Sequence, residues 1–466
     1  MPKQKAAGHS ESMYLTNTSI LTIFILSFCL FVFLPSRFRW LLLLFLSVVV
    51  LAGNGWSSLI FSALQVLTTF AMGLSLAQEK HRGRLSIFVA LQLIPLVIMK
   101  LQAPVGFTLA GLPIGLSYTT FQVLSYLIDV SRGKRKAESR LGHFGLFVIF
   151  FATKEVGPIE RASLIDQFRE IALPTADELF RSMLILSAGF VQKFVIADQL
   201  RVYVETVFQK PEAYAGAPVW IAVLLSKYQI FADFAGGSSI AIGIGGVFGL
   251  TLRKNFDRPF SALSLAEFWR RWHMSLQSWI RDYVFYPLLA TPISRFGLFL
   301  PVLATYLTFA LWHGFRLPLV IYGCLQAVIV IVSPERFLMP RDLRAKIGIP
   351  RRTMILIFNY IVLICLPSVL FRMATLSEVW SVWTHLGLSW VRGTQFLALG
   401  EWPLILLITF IFASEVGLWA ESRYGISRVL SRSPWYGKLI LTLVILAFLL
   451  VFAKIDQSSH FVYGRF

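Results

Sequence analysis

Two histidines stand where an imidazole is costly to place. His313 lies in Leu303–Phe315, LATYLTFALWHGF, an otherwise apolar run in which Gly314 lets a backbone or ligand approach closely. A titratable group buried in such a run needs a hydrogen-bonding partner or a function, and is a functional candidate by default. Imidazole titrates near working pH, which suits it to take the proton from a hydroxyl and turn a poor nucleophile into a good one. The alternative for His313 is a core histidine bonded to a backbone carbonyl. His273 lies in Glu267–Leu288, EFWRRWHMSLQSWIRDYVFYPL. There Trp269, Trp272, Leu276, Trp279 and Tyr283 recur at steps of three and four, one apolar stripe on a helix. His273 borders that stripe, and periodicity leaves two readings open: an amphipathic helix anchored at a membrane interface by tryptophans, or a site. Asp233, in YQIFADFAGGSSIAIGIGG, is the other notable charge in apolar surroundings. It reads as a helix cap or the partner of a nearby cation.

Other chemistries lack their residues. No Ser-His-Asp, HExxH, P-loop or CxxC arrangement is present. The glycines after Asp233 miss the dinucleotide fingerprint, whose third glycine position holds Phe248. Ala241, Gly245 and Gly249 are instead spaced as small residues for close helix packing. Cys29, Cys324 and Cys365 all sit in apolar runs and read as free thiols, with no disulfide framework or metal-ligand spacing.

The elements that must hold these residues are membrane helices. Of 466 residues 56% are hydrophobic and 14% charged, and the mean hydropathy is +0.70. Soluble domains run at about 25% charged, which argues against an ordinary cytosolic enzyme. Apolar segments recur from 19–34 to 437–454, among them 112–130, 143–153, 181–197, 217–232 and 237–250. They predict an all-α polytopic membrane protein of roughly eleven to thirteen transmembrane helices, with re-entrant or interfacial helices around a central tunnel. The segments 154–180 and 253–294 are semi-polar and broken by prolines, so they must lie at the interface or line a cavity. A polar tail (1–18) precedes a single membrane domain (19–466). The run Ile20–Leu34 ends in Pro35-Ser36-Arg37 with no small-residue cleavage site, and reads as a first span that stays.

Lys and Arg outnumber Asp and Glu by 43 to 24, a formal net charge of +19. The excess clusters in short loops, as the positive-inside rule requires, and no basic helix or aromatic-interleaved groove suggests nucleic acid. The loops with Arg82 and Arg84, and with Arg132, Lys134, Arg135, Lys136 and Arg140, are expected on the cytoplasmic side. The turn at Asn54 and the uncharged loop 102–111 are expected outside.

The segment Glu267–Leu288 closely resembles the signature of the membrane-bound O-acyltransferases. The nearest branch is the bacterial one that contains the alginate O-acetylation membrane subunit and the teichoic-acid D-alanyl transfer protein. PIGLSYTTFQVLSYLIDVSRG (113–133), GPIER (157–161), GFVQKFVIADQL (189–200), YQIFADFAGGSSIAIGIGGVFGL (228–250), NFDRPF (255–260), LWHG (311–314) and the terminal FVYGRF (461–466) resemble that branch in the expected order. Departures exist: the family's DFSGYSD-like string reads DFAGGSS here, and the stretch after LWHG lacks the usual tryptophan and further histidine.

The resemblance implies that His313 is the catalytic histidine and His273 a second functional one. Trp269, Arg270, Trp272, Trp312 and Asp233 become the candidate substrate-binding residues. It further implies transfer of an acetyl or other short acyl group from a cytoplasmic thioester, acetyl-CoA or an acyl-carrier protein, toward a hydroxyl beyond the membrane. No bound metal or redox cofactor is expected. The acceptor would be a polysaccharide or an extracytoplasmic partner resembling a serine-histidine-aspartate (SGNH) hydrolase, with lipids around the chain and the bacterial cytoplasmic membrane as its location. D-alanyl transfer to teichoic acid is the neighbouring alternative. A glycan or lipid transporter is the alternative of another class, although it would call for inverted repeats that are not seen.

Overall fold

Helices form where the apolar runs place them, and their outward faces remain greasy. In the computed structural model, which describes residues 17–78, 82–105, 115–214, 216–292, 295, 297–333, 350–387 and 401–452, the described residues contain no strand and only one isolated antiparallel bridge, Phe256 to Trp272. Among the described residues eight helices are long and apolar enough to cross a membrane. Three shorter apolar helices accompany them: Ile23–Phe33, Phe299–His313 and Leu317–Val332. The helix Trp435–Phe452 buries none of its apolar window and exposes Leu439, Ile440, Leu443, Val444 and Leu450. Such a surface is stable against lipid and not against water. The chain is an all-α, multi-pass membrane protein. Residues 1–16 of the polar tail, 106–111 of the uncharged loop and the terminal FVYGRF lie outside the described residues.

Six elements frame the interior: α1 (Ala176–Gln209), α2 (Ala217–Val247), α3 (Leu265–Arg271), α4 (Met274–Ile280), α5 (Phe299–His313) and α6 (Arg352–Arg372). Among the described residues eight long spans and three shorter apolar helices make eleven apolar helices, some of the apolar runs having merged into one span. Segments 217–232 and 237–250 are one unbroken helix, α2, despite the Gly236-Gly237 pair at their junction. Gly236 is needed there for packing. A Cβ at Gly236 would stand 2.8 Å from the Lys193 backbone nitrogen and 2.9 Å from the Gly189 carbonyl oxygen. Farther along, Gly243 meets Leu186 and Gly246 meets Ser182, so α1 and α2 lie backbone to backbone. The close-packing stripe against α1 is therefore Gly236, Gly243 and Gly246, and Gly245 and Gly249 of the expected set lie elsewhere. Gly245 faces Leu252, and Gly249 turns the chain at φ +71° against the Ala172 carbonyl.

α1 begins with a capping box, Thr175 and Glu178 each bonded to the other's backbone nitrogen. Its middle widens into a π-helical stretch, Val191–Ala197. Most of α2 is buried, as expected for a central pillar. One apolar core gathers α2 to α6, while a second packs the N-terminal helices around Phe144, Phe147 and Phe248.

The single helix expected over Glu267–Leu288 is not continuous. It stops at Arg271, crosses Trp272 in extended backbone and restarts at Met274, with His273 left-handed at φ +46° between the two parts. The β-bridge to Phe256 holds the break, with Asp257 N donating to Arg271 O at 3.0 Å and Met274 N to Asn255 O at 2.8 Å. Periodicity alone cannot see such a break, because the stripe residues Trp269, Trp272, Leu276 and Trp279 are all buried on both sides of it.

Candidate active site

The break in the helix carries His273 inward. Its side chain is fully buried, which removes the interfacial reading. A non-glycine residue in the left-handed region is uncommon and strained, and persists where the surroundings over-determine it. Here the surroundings are polar on one side and aromatic on the other. Nδ1 lies 3.4 Å from Asn255 Oδ1, the ring stands edge-on to Phe234 at 4.5 Å, and Trp312 is 5.8 Å away between centroids.

Asn255 is the hub of a buried chain of hydrogen bonds. Its amide nitrogen donates to Ser238 Oγ at 2.8 Å, and Ser238 Oγ donates to Val156 O at 3.2 Å. Its amide oxygen receives the Ser275 hydroxyl at 2.6 Å, and that hydroxyl also accepts from Ile159 N at 3.0 Å. The chain ties α2, α4, the NFDRPF stretch and the GPIER stretch into one unit around His273. Paired in this way, buried polar groups specify one arrangement, because each broken link strands a desolvated group.

His313 closes α5 and is 2% exposed. Its ring lies among Phe309 (4.6 Å), Trp312 (4.7 Å) and Phe371 of α6 (4.8 Å), all edge-on. Trp312 thus neighbours both histidines, and its indole nitrogen donates to Ser117 O at 3.4 Å. Two imidazoles that share one indole neighbour, enclosed by aromatic walls, can move a proton and stabilise negative charge that develops next to them.

The other candidates divide. Trp269 is buried, donates to Gln326 Oε1 at 3.1 Å and packs on Phe309, the ring beside His313. Trp272 is buried against Phe268, Phe256 and Phe231. Arg270 is exposed and is not brought to the two histidines. Asp233 reaches Lys193 Nζ at 2.6 Å, and Lys193 also reaches Asp198 at 3.0 Å, so its carboxylate is held by an ion pair of α1. Its neighbour Phe234 is the residue that touches His273. Asn255 in NFDRPF and Ser275 in RRWHMS carry no mark of a site in the sequence. Each is an isolated polar residue, and their pairing across 20 positions has no local signal. Lys227 is likewise unmarked, a single cation inside an apolar run.

Among the described residues no cluster of three or more His, Cys, Asp or Glu is arranged to hold a metal ion. Residues 57–377 match the model of the MBOAT, membrane-bound O-acyltransferase family. That match spans most of the chain and both histidines, and the chain belongs to this family. Among curated proteins it is similar to the probable alginate O-acetylase AlgI of Pseudomonas aeruginosa, 37% identical over 213 residues, 46% of this chain and 41% of that protein. The peptidoglycan O-acetyltransferase of Helicobacter pylori is 27% identical over 248 residues, 47% of each chain. The teichoic acid D-alanyltransferase of Streptococcus thermophilus is 28% identical over 263 residues, 52% of this chain and 62% of that one. The chain thus spans about two-fifths to three-fifths of the length of the curated relatives it matches.

Proposed function

We propose that this protein is an O-acyltransferase that moves an acetyl or other short acyl group from a thioester to a hydroxyl, with His313 as the general base. The observation that carries this reading is the burial of His273 and His313 against one indole, Trp312, in a family-matched region. In the step proposed, the His313 imidazole takes the proton of the acceptor hydroxyl as its oxygen attacks the thioester carbonyl. The tetrahedral oxyanion collapses, the carbon–sulfur bond breaks, and the proton goes on to the departing thiolate. His273, fixed by Asn255, would orient a reactant or donate to the oxyanion. A general base of this kind contributes about 10²–10⁴-fold.

The relatives' names, alginate O-acetylase and peptidoglycan O-acetyltransferase, support an acetyl group and a cell-envelope polysaccharide. The donor would be acetyl-CoA or an acyl-carrier thioester on the cytoplasmic side of the bacterial inner membrane. An SGNH hydrolase-like partner beyond the membrane would receive the acyl group or bring the polymer. The test is reconstitution in proteoliposomes with labelled donor on one side and polymer, with or without such a partner, on the other. Transfer that disappears in His313→Ala, while the variant accumulates normally in the membrane, supports the reading. Transfer at the wild-type rate by that variant overturns it.

A further inference from the structure

Lys227 has no role in the reaction as described, yet it is buried beside the reacting centre. It lies on α2, 3% exposed, with Nζ 4.0 Å from the centre of the Trp272 ring. Phe268, Trp269 and Phe371 complete the enclosure at 5.6, 5.8 and 5.9 Å. Phe371 also touches His313 at 4.8 Å, so amine and imidazole share a wall. Ring faces favour an ammonium electrostatically, but they do not take its three N–H donors as oxygen acceptors do. Among the described residues no acceptor lies within hydrogen-bond reach of Nζ. The Cys365 thiol on α6 is turned toward Leu224 O at 3.8 Å.

A second observation concerns charge balance. Among the described residues no carboxylate lies within ion-pair reach of Lys227 Nζ, which faces rings alone. The buried Asp233 nearby on the same helix is committed to Lys193. An ammonium at membrane depth without an anion is unfavourable, and such groups mark places where a ligand supplies the missing charge.

We infer that Lys227 is an anchor for a carboxylate carried by one of the substrates, held within the Trp272–Trp269–Phe371 enclosure beside His313. The inference rests on the acyltransferase reading above. The carboxylate has two chemical sources: the acyl group, as in the half-thioester of a dicarboxylic acid, or the acceptor, as in a uronic-acid sugar. Either places a flat anion where a single amine and flanking rings accept it, and leaves the reacting carbonyl or hydroxyl toward His313.

The experiment compares wild type, Lys227→Met and Lys227→Arg in proteoliposomes, with two arms. In one, acetyl and succinyl thioesters compete for a neutral glycoside. In the other, uronate and neutral glycosides compete for the acetyl thioester. Wild type is expected to prefer the carboxylate-bearing substrate in one arm by about 10- to 100-fold, the worth of a buried charge-assisted hydrogen bond. Lys227→Met should lose that preference through a raised KM, and Lys227→Arg should keep most of it. Loss of rate by equal factors on charged and neutral substrates would overturn the inference, since that is the mark of a general oxyanion role. Wild-type transfer without preference in either arm overturns the inference alone. Absence of any transfer by wild type removes the acyltransferase reading and this inference with it.

Discussion

Asn255 Oδ1 accepts the Ser275 hydroxyl at 2.6 Å and lies 3.4 Å from His273 Nδ1. One amide oxygen therefore sets the start of α4 and faces the imidazole of a residue held in left-handed backbone. Asn255→Ala should cost about 1–3 kcal/mol of stability through stranded partners. Because it acts on His273 by position, it should lower acyl transfer at saturating substrate more than it raises KM. Thermal unfolding in detergent and steady-state kinetics on the same preparation check both halves.

Lys193 stands between two buried carboxylates, Asp198 and Asp233. Lys193→Met leaves both without it and should cost about 3–5 kcal/mol. Adding Asp233→Asn should recover a large part, because Asp198 retains Arg201 at 3.9 Å. A double variant no more stable than Lys193→Met would refute the assignment of Asp233 to this ion pair.

Glu160, in the GPIER stretch outside the spanning helices, is 3% exposed and accepts from Arg253 N at 2.7 Å. Burial nevertheless pushes its carboxyl up to about 7 from an ordinary 4.5. A carboxyl raised in the folded state contributes stability in full below about 4.5, and that contribution is lost as pH rises through about 7. Wild type should melt at a lower temperature at pH 7.5 than at pH 5, and Glu160→Gln should flatten that difference. An unchanged slope in the variant would refute the assignment.

The loop charges predict sidedness. Asn54 and Gly133 are both exposed, and the helices Trp56–Gln78, Arg82–Val105 and Leu116–Ser131 separate them. Single cysteines at the two positions, with Cys29, Cys324 and Cys365 replaced, should label from opposite faces of sealed vesicles. Labelling from one face would reverse the orientation of this part of the chain.

Much of the architecture is legible in hydropathy, since an apolar run long enough to span has few other ways to satisfy its backbone in lipid. His313 is legible for the same reason, as a titratable group in such a run. The break at His273 is not, because it depends on a bridge from Phe256, 16 positions before Trp272, and propensity still favours helix through RRWHMS. Asn255 gains its meaning from Ser238 and Ser275, and Lys227 from rings on α3 and α6. Such meanings arise only when separate helices converge.

The two faces of α2 have a mechanical consequence. Lys227 and Phe234 are seven residues apart, about 700° of helical rotation, and so point almost the same way, toward the histidines. Gly236 and Gly243 share the opposite azimuth, against α1, with Asp233 near them at Lys193. Turning α2 by a single residue, about 100°, would pull Asp233 from Lys193 and swing Lys227 off the Trp272 ring in the same motion. The ion pair with α1 therefore works as a rotational key, fixing the angle at which the far side of the pillar presents its amine and its phenyl ring to the histidines.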